Sequence, residues 1–315
     1  MTTADARRSD AHHAPAVEPA GGGAILRTDT AQWRRIASRT MSRILRDRVS
    51  VAAGSLAYHL FLSFFPAVIA GLAFLTLLHV GSGTIRSLTH GIERGLPSGA
   101  AGVFTGAVRA ATRRTSGSIA SVVLGIAVAL WSASSAMAVL QQTLDIAYEV
   151  PTDRSFVARR VRALPMLLLS VGLGGCAAVL VVFGQPIGSA LRSAIPVGAG
   201  TVDVAWTVVR WTVAFVLVSL LFSIYYHLGP NREKPRWQWV TAGGLLAAAA
   251  FLAASLGFSF YVSSFGAYGR TYGSFAGVAI FIFWLYLVGV AILVGAELNA
   301  EVERGDGRSP RSPPA

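Results

Sequence analysis

The chain has 315 residues, 53% of them hydrophobic and only 13% charged, with 27 Lys and Arg against 15 Asp and Glu. An ordinary soluble domain is about 25% charged, so the soluble two-domain enzyme usual for this length does not fit. The net charge of +12 invites nucleic acid, but long apolar blocks give the anionic cytoplasmic leaflet of a lipid bilayer as the expected partner, with no nucleic acid.

Residues 1–28 mix charge, Pro and Gly and contain no apolar core of the kind a secretory signal has. They are expected to be a disordered cytoplasmic tail, with the first span acting as its own insertion signal. Residues 30–48 place Trp33, Ile36, Ala37, Met41, Ile44 and Leu45 at spacings of three and four, with Arg34, Arg35, Arg39, Arg43 and Arg46 mostly opposite. That is an amphipathic helix suited to the headgroup layer.

Six stretches then carry no Asp, Glu, Lys or Arg: 49–85, 115–144, 163–191, 211–231, 237–269 and 271–296. Crossing a bilayer takes about 20 apolar residues. The fold class is therefore an all-α polytopic membrane protein with six transmembrane helices, near 52–78, 119–142, 164–184, 206–228, 239–262 and 275–296. They fill a membrane domain over 29–304, and 305–315 is a second disordered tail.

Pro66 should kink the first span after Ser63. The loop 80–117 reads as two short amphipathic helices. Pro186, Pro196, Gly229-Pro230 and the Gly266 to Gly273 stretch mark turns. The single cysteine, Cys176, excludes an internal disulfide and reads as a buried small hydrophobe. Basic residues number 19 on the side of the termini against 7 opposite, Arg210 set aside; the positive-inside rule puts both termini in the cytoplasm.

Polar groups inside these spans are costly and so form the candidate polar passage: His59, Ser63, Gln141, Asp145, Arg210, Glu297 and Asn299. His59 and Ser63 either line a passage or bond a neighbouring helix. Gln141 and Asp145 close the second span beside Arg159, Arg160 and Arg162. Arg210 either snorkels to the interface or meets an anionic substrate group. Glu297 is a candidate for proton coupling or for an ion pair with the basic cluster. Gly273 and Gly277 form a GxxxG pair that permits close helix approach. No metalloprotease, hydrolase or P-loop signature and no metal-holding His cluster is present. No cofactor, metal or enzymatic activity is expected; an unknown small-molecule or lipid substrate and a homo-oligomer are the open partner readings.

Ala52-Ala53-Gly54-Ser55-Leu56-Ala57-Tyr58 followed by Leu62-Ser63-Phe64-Phe65-Pro66 resembles the opening signature of the YihY/virulence factor BrkB family. So do Trp131-Ser132 to Tyr148 with Asp153-Arg154-Ser155-Phe156, and Leu228-Gly229-Pro230-Asn231 with Trp237, Trp239 and Gly243. The most specific stretch runs from Tyr261 through Tyr272-Gly273-Ser274 and Trp284-Leu285-Tyr286 to Gly295-Ala296-Glu297-Leu298-Asn299. The resemblance implies a six-helix inner-membrane protein with cytoplasmic termini, linked to serum resistance and to envelope lipid handling, and once misnamed ribonuclease BN. Asp145 departs from the family's usual Asn, and His227 from its usual basic side chain. The expected function is transport or handling of an envelope-related, anionic or lipid-linked solute; the alternative is a non-transporting scaffold for envelope integrity.

Overall fold

The computed structural model describes residues 30–77, 119–151, 154–194, 199–232, 238–264 and 268–305, with isolated positions at 83, 90, 105 and 106. The two tails, most of the 80–117 loop and Pro196 lie outside the described residues. Among the described residues there are eight α-helices: α1 (Thr30–Arg46), α2 (Val49–Leu77), α3 (Ile119–Ala147), α4 (Phe156–Leu169), α5 (Gly175–Ala194), α6 (Ala199–Leu228), α7 (Ala242–Ser264) and α8 (Tyr268–Gly305). Residues 30–35 form a first helical unit by themselves, and from Ile36 the chain is one compact unit.

Five stretches are long and apolar enough to cross a bilayer: Val49–Val68, Phe156–Val181, Gly200–Leu228, Ala242–Tyr261 and Ala276–Arg304. Helix α3, 29 residues long, covers the remaining expected span. The protein is a polytopic all-α membrane protein. Its outward surface agrees: Leu168 is 72% and Phe260 75% exposed, positions suited to lipid as solvent. From α2 onward each span packs against the next and α8 returns to α2. One end of the bundle, called the α1 end below, therefore gathers the starts of α2, α4 and α7 and the ends of α3, α6 and α8.

Local chemistry sets the helix ends. Ser155 caps α4, its hydroxyl accepting from the Ala158 N–H, and Thr241 caps α7 through the Gly244 N–H at 3.0 Å. Helix α3 closes with Val150 N–H donating to Asp145 O at 2.9 Å and Glu149 N–H to Ile146 O at 3.0 Å. This is a Schellman closure with Glu149 in the left-handed position usually taken by glycine (φ 53°). Arg48, at the α1–α2 corner, is the second such residue (φ 49°).

Several prolines lie inside helices, and two of the expected turns are helical. Helix α2 runs unbroken through Pro66. Its missing N–H frees the Leu62 carbonyl, which instead accepts the Ser132 hydroxyl of α3 at 3.5 Å. Pro186 lies inside α5 rather than in a turn, and α8 has begun by Tyr268, so the 266–273 stretch is largely helix. Within a bilayer no water competes for the backbone, which favours continuing a helix past a proline. Between α4 and α5 the helix widens into a π turn at Ser170–Gly174, where Ser170 bonds the Tyr225 hydroxyl. Cys176 is exposed on the outer surface of α5 rather than buried.

The core joins Leu56 of α2, Leu140 and Leu144 of α3, Tyr226 of α6, Ala247 of α7 and Leu293 of α8. Within it α7 and α8 cross backbone to backbone. A Cβ on Gly243 would stand 2.2 Å from Gly295 O, and one on Gly295 would stand 2.5 Å from the Tyr226 hydroxyl. Tyr226 of α6 donates to Ile292 O of α8 at 2.7 Å beside this crossing. The expected close pair, Gly273 and Gly277, lies in the first turns of α8, and the surroundings of Gly273 fall outside the described residues.

Helix α1 divides its apolar face. Ile36, Thr40 and Ile44 turn toward the bundle, while Met41 and Leu45 stay 60% and 74% exposed. Arg43, expected on the polar face, points inward to Glu149 and Glu301.

Candidate functional site

Four of the seven candidate residues come together at the α1 end: Gln141, Asp145, Glu297 and Asn299. The others stand apart.

The first of three adjoining clusters centres on Arg154. Its guanidinium donates to Gln141 Oε1 at 3.0 Å, to the Gly229 carbonyl and to the Pro230 carbonyl at 2.8 Å. Gln141 is fully buried and donates to Arg159 O at 3.1 Å. Asp145 accepts the Asn231 N–H at 2.7 Å. One arginine and one carboxylate thus hold the α6–α7 turn on the end of α3, through the Gly229-Pro230-Asn231 segment. Arg160, alongside, stacks over Trp131 at 4.4 Å and donates to Trp131 O at 2.9 Å.

The second cluster lines a recess of about 10 Å³, whose walls include Ser223, Tyr226, Arg232, Thr241, Asn299 and Glu303. That is room for about one water molecule. Arg232 pairs with Glu303, donates to Tyr226 O at 2.7 Å and lies 4.4 Å over the Tyr148 ring. Asn299 donates to the Tyr148 hydroxyl and to Glu303, both at 2.8 Å. Burial first, and then the Glu303 carboxylate, push the Tyr148 phenol well above its ordinary range. It stays protonated under all physiological conditions.

The third cluster joins α1 to α8. Arg43 contacts Glu149 at 2.9 Å and pairs with Glu301; Arg46 contacts Glu149 at 2.7 Å and Asp47 at 3.1 Å; Arg304 contacts Glu301 at 2.8 Å. Burial alone pushes the Glu149 carboxyl up, but Arg43, Arg304 and Arg46 together hold it below the usual carboxylate value. Asp47, first by its hydrogen bond and its charge, then Glu149, raise the Arg46 guanidinium. Glu297 is 1% exposed and faces Asp47.

Away from this end, His59 Nδ1 bonds Ser55 O of its own helix at 2.9 Å rather than a neighbouring helix. Ser63 likewise donates to Leu60 O at 2.9 Å. Arg210 lies 7% exposed in the half of α6 remote from α1. Its side chain crosses Gly184 of α5 so closely that a Cβ there would meet Cδ at 2.0 Å. Trp206, one turn away, donates to Gly184 O at 2.6 Å and covers Gly188. Among the described residues the Arg210 Nε finds no acceptor, and the ring of Trp211 lies 5.8 Å from the guanidinium.

Sequence reasoning passed over Arg154, Arg232, Tyr148 and the carboxylates Glu149, Glu301 and Glu303. Arg154 and Tyr148 stood within quoted motifs, and Glu303 lies one helical turn from Asn299, so a search for side chains flanking the motif residues finds three of them.

The sequence profile described as "Virulence factor BrkB" matches residues 40–315. The ribonuclease-like protein YfkH of Bacillus subtilis is 32% identical over 249 residues, 79% of this chain and 88% of that protein. A UPF0761 membrane protein of Alkalilimnicola ehrlichii is 28% identical over 279 residues, 85% of this chain but 59% of its own length. A UPF0761 membrane protein of Methylibium petroleiphilum is 27% identical over 278 residues, 86% of this chain and 63% of that protein. The chain thus spans less than two thirds of these two longer relatives. No solved structure matches the chain.

Proposed function

The chain belongs to the virulence factor BrkB family, and on that premise we propose that this multi-pass membrane protein handles an anionic, lipid-linked solute of the cell envelope. The observation that carries the reading is Arg210. A guanidinium buried in a span is costly unless an anion accompanies it, and among the described residues Arg210 has a tryptophan beside it and no carboxylate in a salt bridge with it. Its planar fork suits a phosphate or carboxylate. With both termini in the cytoplasm, as the 19 to 7 distribution of basic residues favours, Arg210 stands in the outer half of the inner membrane. The exposed Arg34, Arg35 and Arg39 of α1 then meet the anionic inner leaflet.

The test is reconstitution into liposomes carrying fluorescent anionic and zwitterionic phospholipids, with redistribution followed against empty vesicles. Wild-type protein is expected to move the anionic probe above the empty-vesicle rate. Arg210→Gln removes one charge-assisted contact of about 1.5–3 kcal/mol, a reduction of roughly 10- to 100-fold, and Arg210→Lys retains part of the activity. A wild-type rate equal to that of empty vesicles refutes the reading, as does a Gln variant as fast as wild type.

A second reading is a scaffold, favoured by the size of the recess, about 10 Å³, and by the internal pairing of the α1-end charges. It predicts a normal envelope phenotype when His59, Arg210 and Glu297 are changed together to Ala. Nuclease chemistry is not proposed. Glu149, Glu301 and Glu303 at the α1 end are each paired with an arginine, and among the described residues no three His, Cys, Asp or Glu side chains converge on a metal position.

A further inference from the structure

Arg160 is the fifth residue of α4, in the opening turns of the apolar stretch Phe156–Val181 that is long enough to cross a bilayer. An arginine so placed ordinarily snorkels back toward water. This one is held against α3 instead. Its Nη1 donates to the Trp131 carbonyl at 2.9 Å and to the Ser134 hydroxyl, and the guanidinium carbon lies 4.4 Å over the Trp131 ring and 5.3 Å over that of Phe156. The Trp131 carbonyl also accepts the Ser134 and Ser135 hydroxyls, at 2.8 and 2.9 Å, so the anchor is a polar turn of α3.

The rest of the guanidinium is open. It carries donors in a fixed planar fork, and only those of Nη1 are used. The Nε–Nη2 edge makes no hydrogen bond or ion pair among the described residues, and neither atom is enclosed by protein. The rings beneath it are open as well: Trp131 is 60% and Phe156 61% exposed. The neighbouring arginines differ. Arg154 and Arg159 direct donors at backbone carbonyls and, for Arg154, at Gln141. Arg162 is exposed about 200° round the helix from Arg160.

A charged donor edge on a lipid-facing surface is costly without an anion, and the bilayer itself carries one in the phospholipid phosphate. Two parallel N–H donors match two phosphate oxygens, and tryptophan favours the headgroup level. A guanidinium repels a headgroup ammonium, which selects a headgroup of net negative charge. We propose that Arg160, with Trp131 and Phe156 as its walls, is a lateral binding site for the phosphate of an anionic phospholipid in the leaflet at the α1 end. The two rings shield one face of the guanidinium and fix its plane, so a headgroup drawn to the seam between α3 and α4 is held in one register. Arg210 lies in the half of α6 remote from α1, so this site stands on different residues and does not depend on the reading of Arg210.

The test uses the full chain in vesicles that mix phosphatidylglycerol brominated in its acyl chains with unbrominated phosphatidylcholine. Bromine quenches a tryptophan that the lipid touches, and the part of the quenching due to Trp131 is the difference between each protein and its Trp131→Phe partner. In wild type, phosphatidylglycerol is expected beside Trp131 roughly 10-fold more often than its mole fraction dictates, the effect of one charge-assisted contact. Arg160→Gln is expected to return it to the mole fraction, whereas Arg162→Gln and Arg210→Gln leave it enriched. Arg160→Lys keeps the charge but not the two parallel donors, so its enrichment is expected to be smaller; should the Gln variant fail to fold, a Lys variant equal to wild type overturns the proposal. Three other results overturn it: no enrichment in wild type, an equal loss in Arg160→Gln and Arg162→Gln, which marks diffuse surface attraction, or displacement of the lipid by soluble glycerol phosphate, which marks a site for free phosphate esters.

Discussion

Arg154 offers the sharpest energetic test, because one side chain holds three acceptors from two distant segments. Arg154→Ala leaves the buried Gly229 and Pro230 carbonyls and Gln141 Oε1 without this donor. Hydrogen bonds to a charged group contribute about 1.5–3 kcal/mol each. Arg154 is half-buried and its three bonds share one guanidinium, so the sum is not additive, and about 3–4 kcal/mol is expected in total. The shift is about 2–4 °C per kcal/mol for 150–250 residues and smaller for longer chains, so at about 1.5–2 °C per kcal/mol for these 315 residues the melting temperature falls by roughly 5–8 °C. The assay is intrinsic tryptophan fluorescence of detergent-solubilised protein during a thermal ramp, with Arg154→Lys as the control. Lysine keeps the charge but cannot span both carbonyls, so it is expected to recover less than half of the loss. A shift below about 2 °C for the Ala variant, or full rescue by Lys, refutes the argument that the fork geometry holds the α6–α7 turn.

Gly295→Ala places a Cβ 2.6 Å from both Ala247 Cβ and Gly243 O, and is expected to cost about 2–3 kcal/mol by overpacking. Gly54→Ala, with nothing within 4 Å, is expected to gain about 0.5–1 kcal/mol in the same melt; equal effects would refute the packing account. Ser132→Ala should cost about 0.5–1 kcal/mol in wild type and less in a Pro66→Ala background, where the restored N–H reclaims Leu62 O. A double-mutant cycle with no coupling would show that the hydroxyl does not serve that carbonyl. Glu149 gives a pH prediction. Its carboxyl titrates below the ordinary glutamate value in the folded protein, drawn down by Arg43, Arg304 and Arg46. The stability it contributes is therefore complete above that value and lost as pH falls through the lower folded value. Denaturant melts of wild type should weaken over that acid window, and those of Glu149→Gln should show a smaller change there.

What the sequence made legible follows from the range over which each signal acts. The span positions were readable because a charge-free run is a local property and the bilayer penalises its interruption. Caps such as Ser155 and Thr241 act within one turn and can be read in the same way. Arg154 reaches Gly229, 75 residues on, and no local pattern specifies that reach. Arg43 looked like a surface residue because the carboxylates that draw it inward, Glu149 and Glu301, come from helices far along the chain. The glycines show the same limit. Gly273 and Gly277 carry the spacing of a close crossing, yet so do Gly184 and Gly188, and what makes the latter pair matter is the Arg210 and Trp206 laid across them. Pro186 was misread because the rule that prolines mark turns is drawn from water-exposed chain, where freed carbonyls are solvated at no cost.

The position of α1 rests on charge as well as on apolar contact. Glu149, held low by three arginines, lets go on the acid side when it takes up a proton and no longer attracts Arg43 and Arg46. A helix held by packing alone, through Ile36 and Ile44, would show no such release, so a label on α1 whose mobility rises at acid pH in wild type but not in Glu149→Gln distinguishes electrostatic seating from apolar docking.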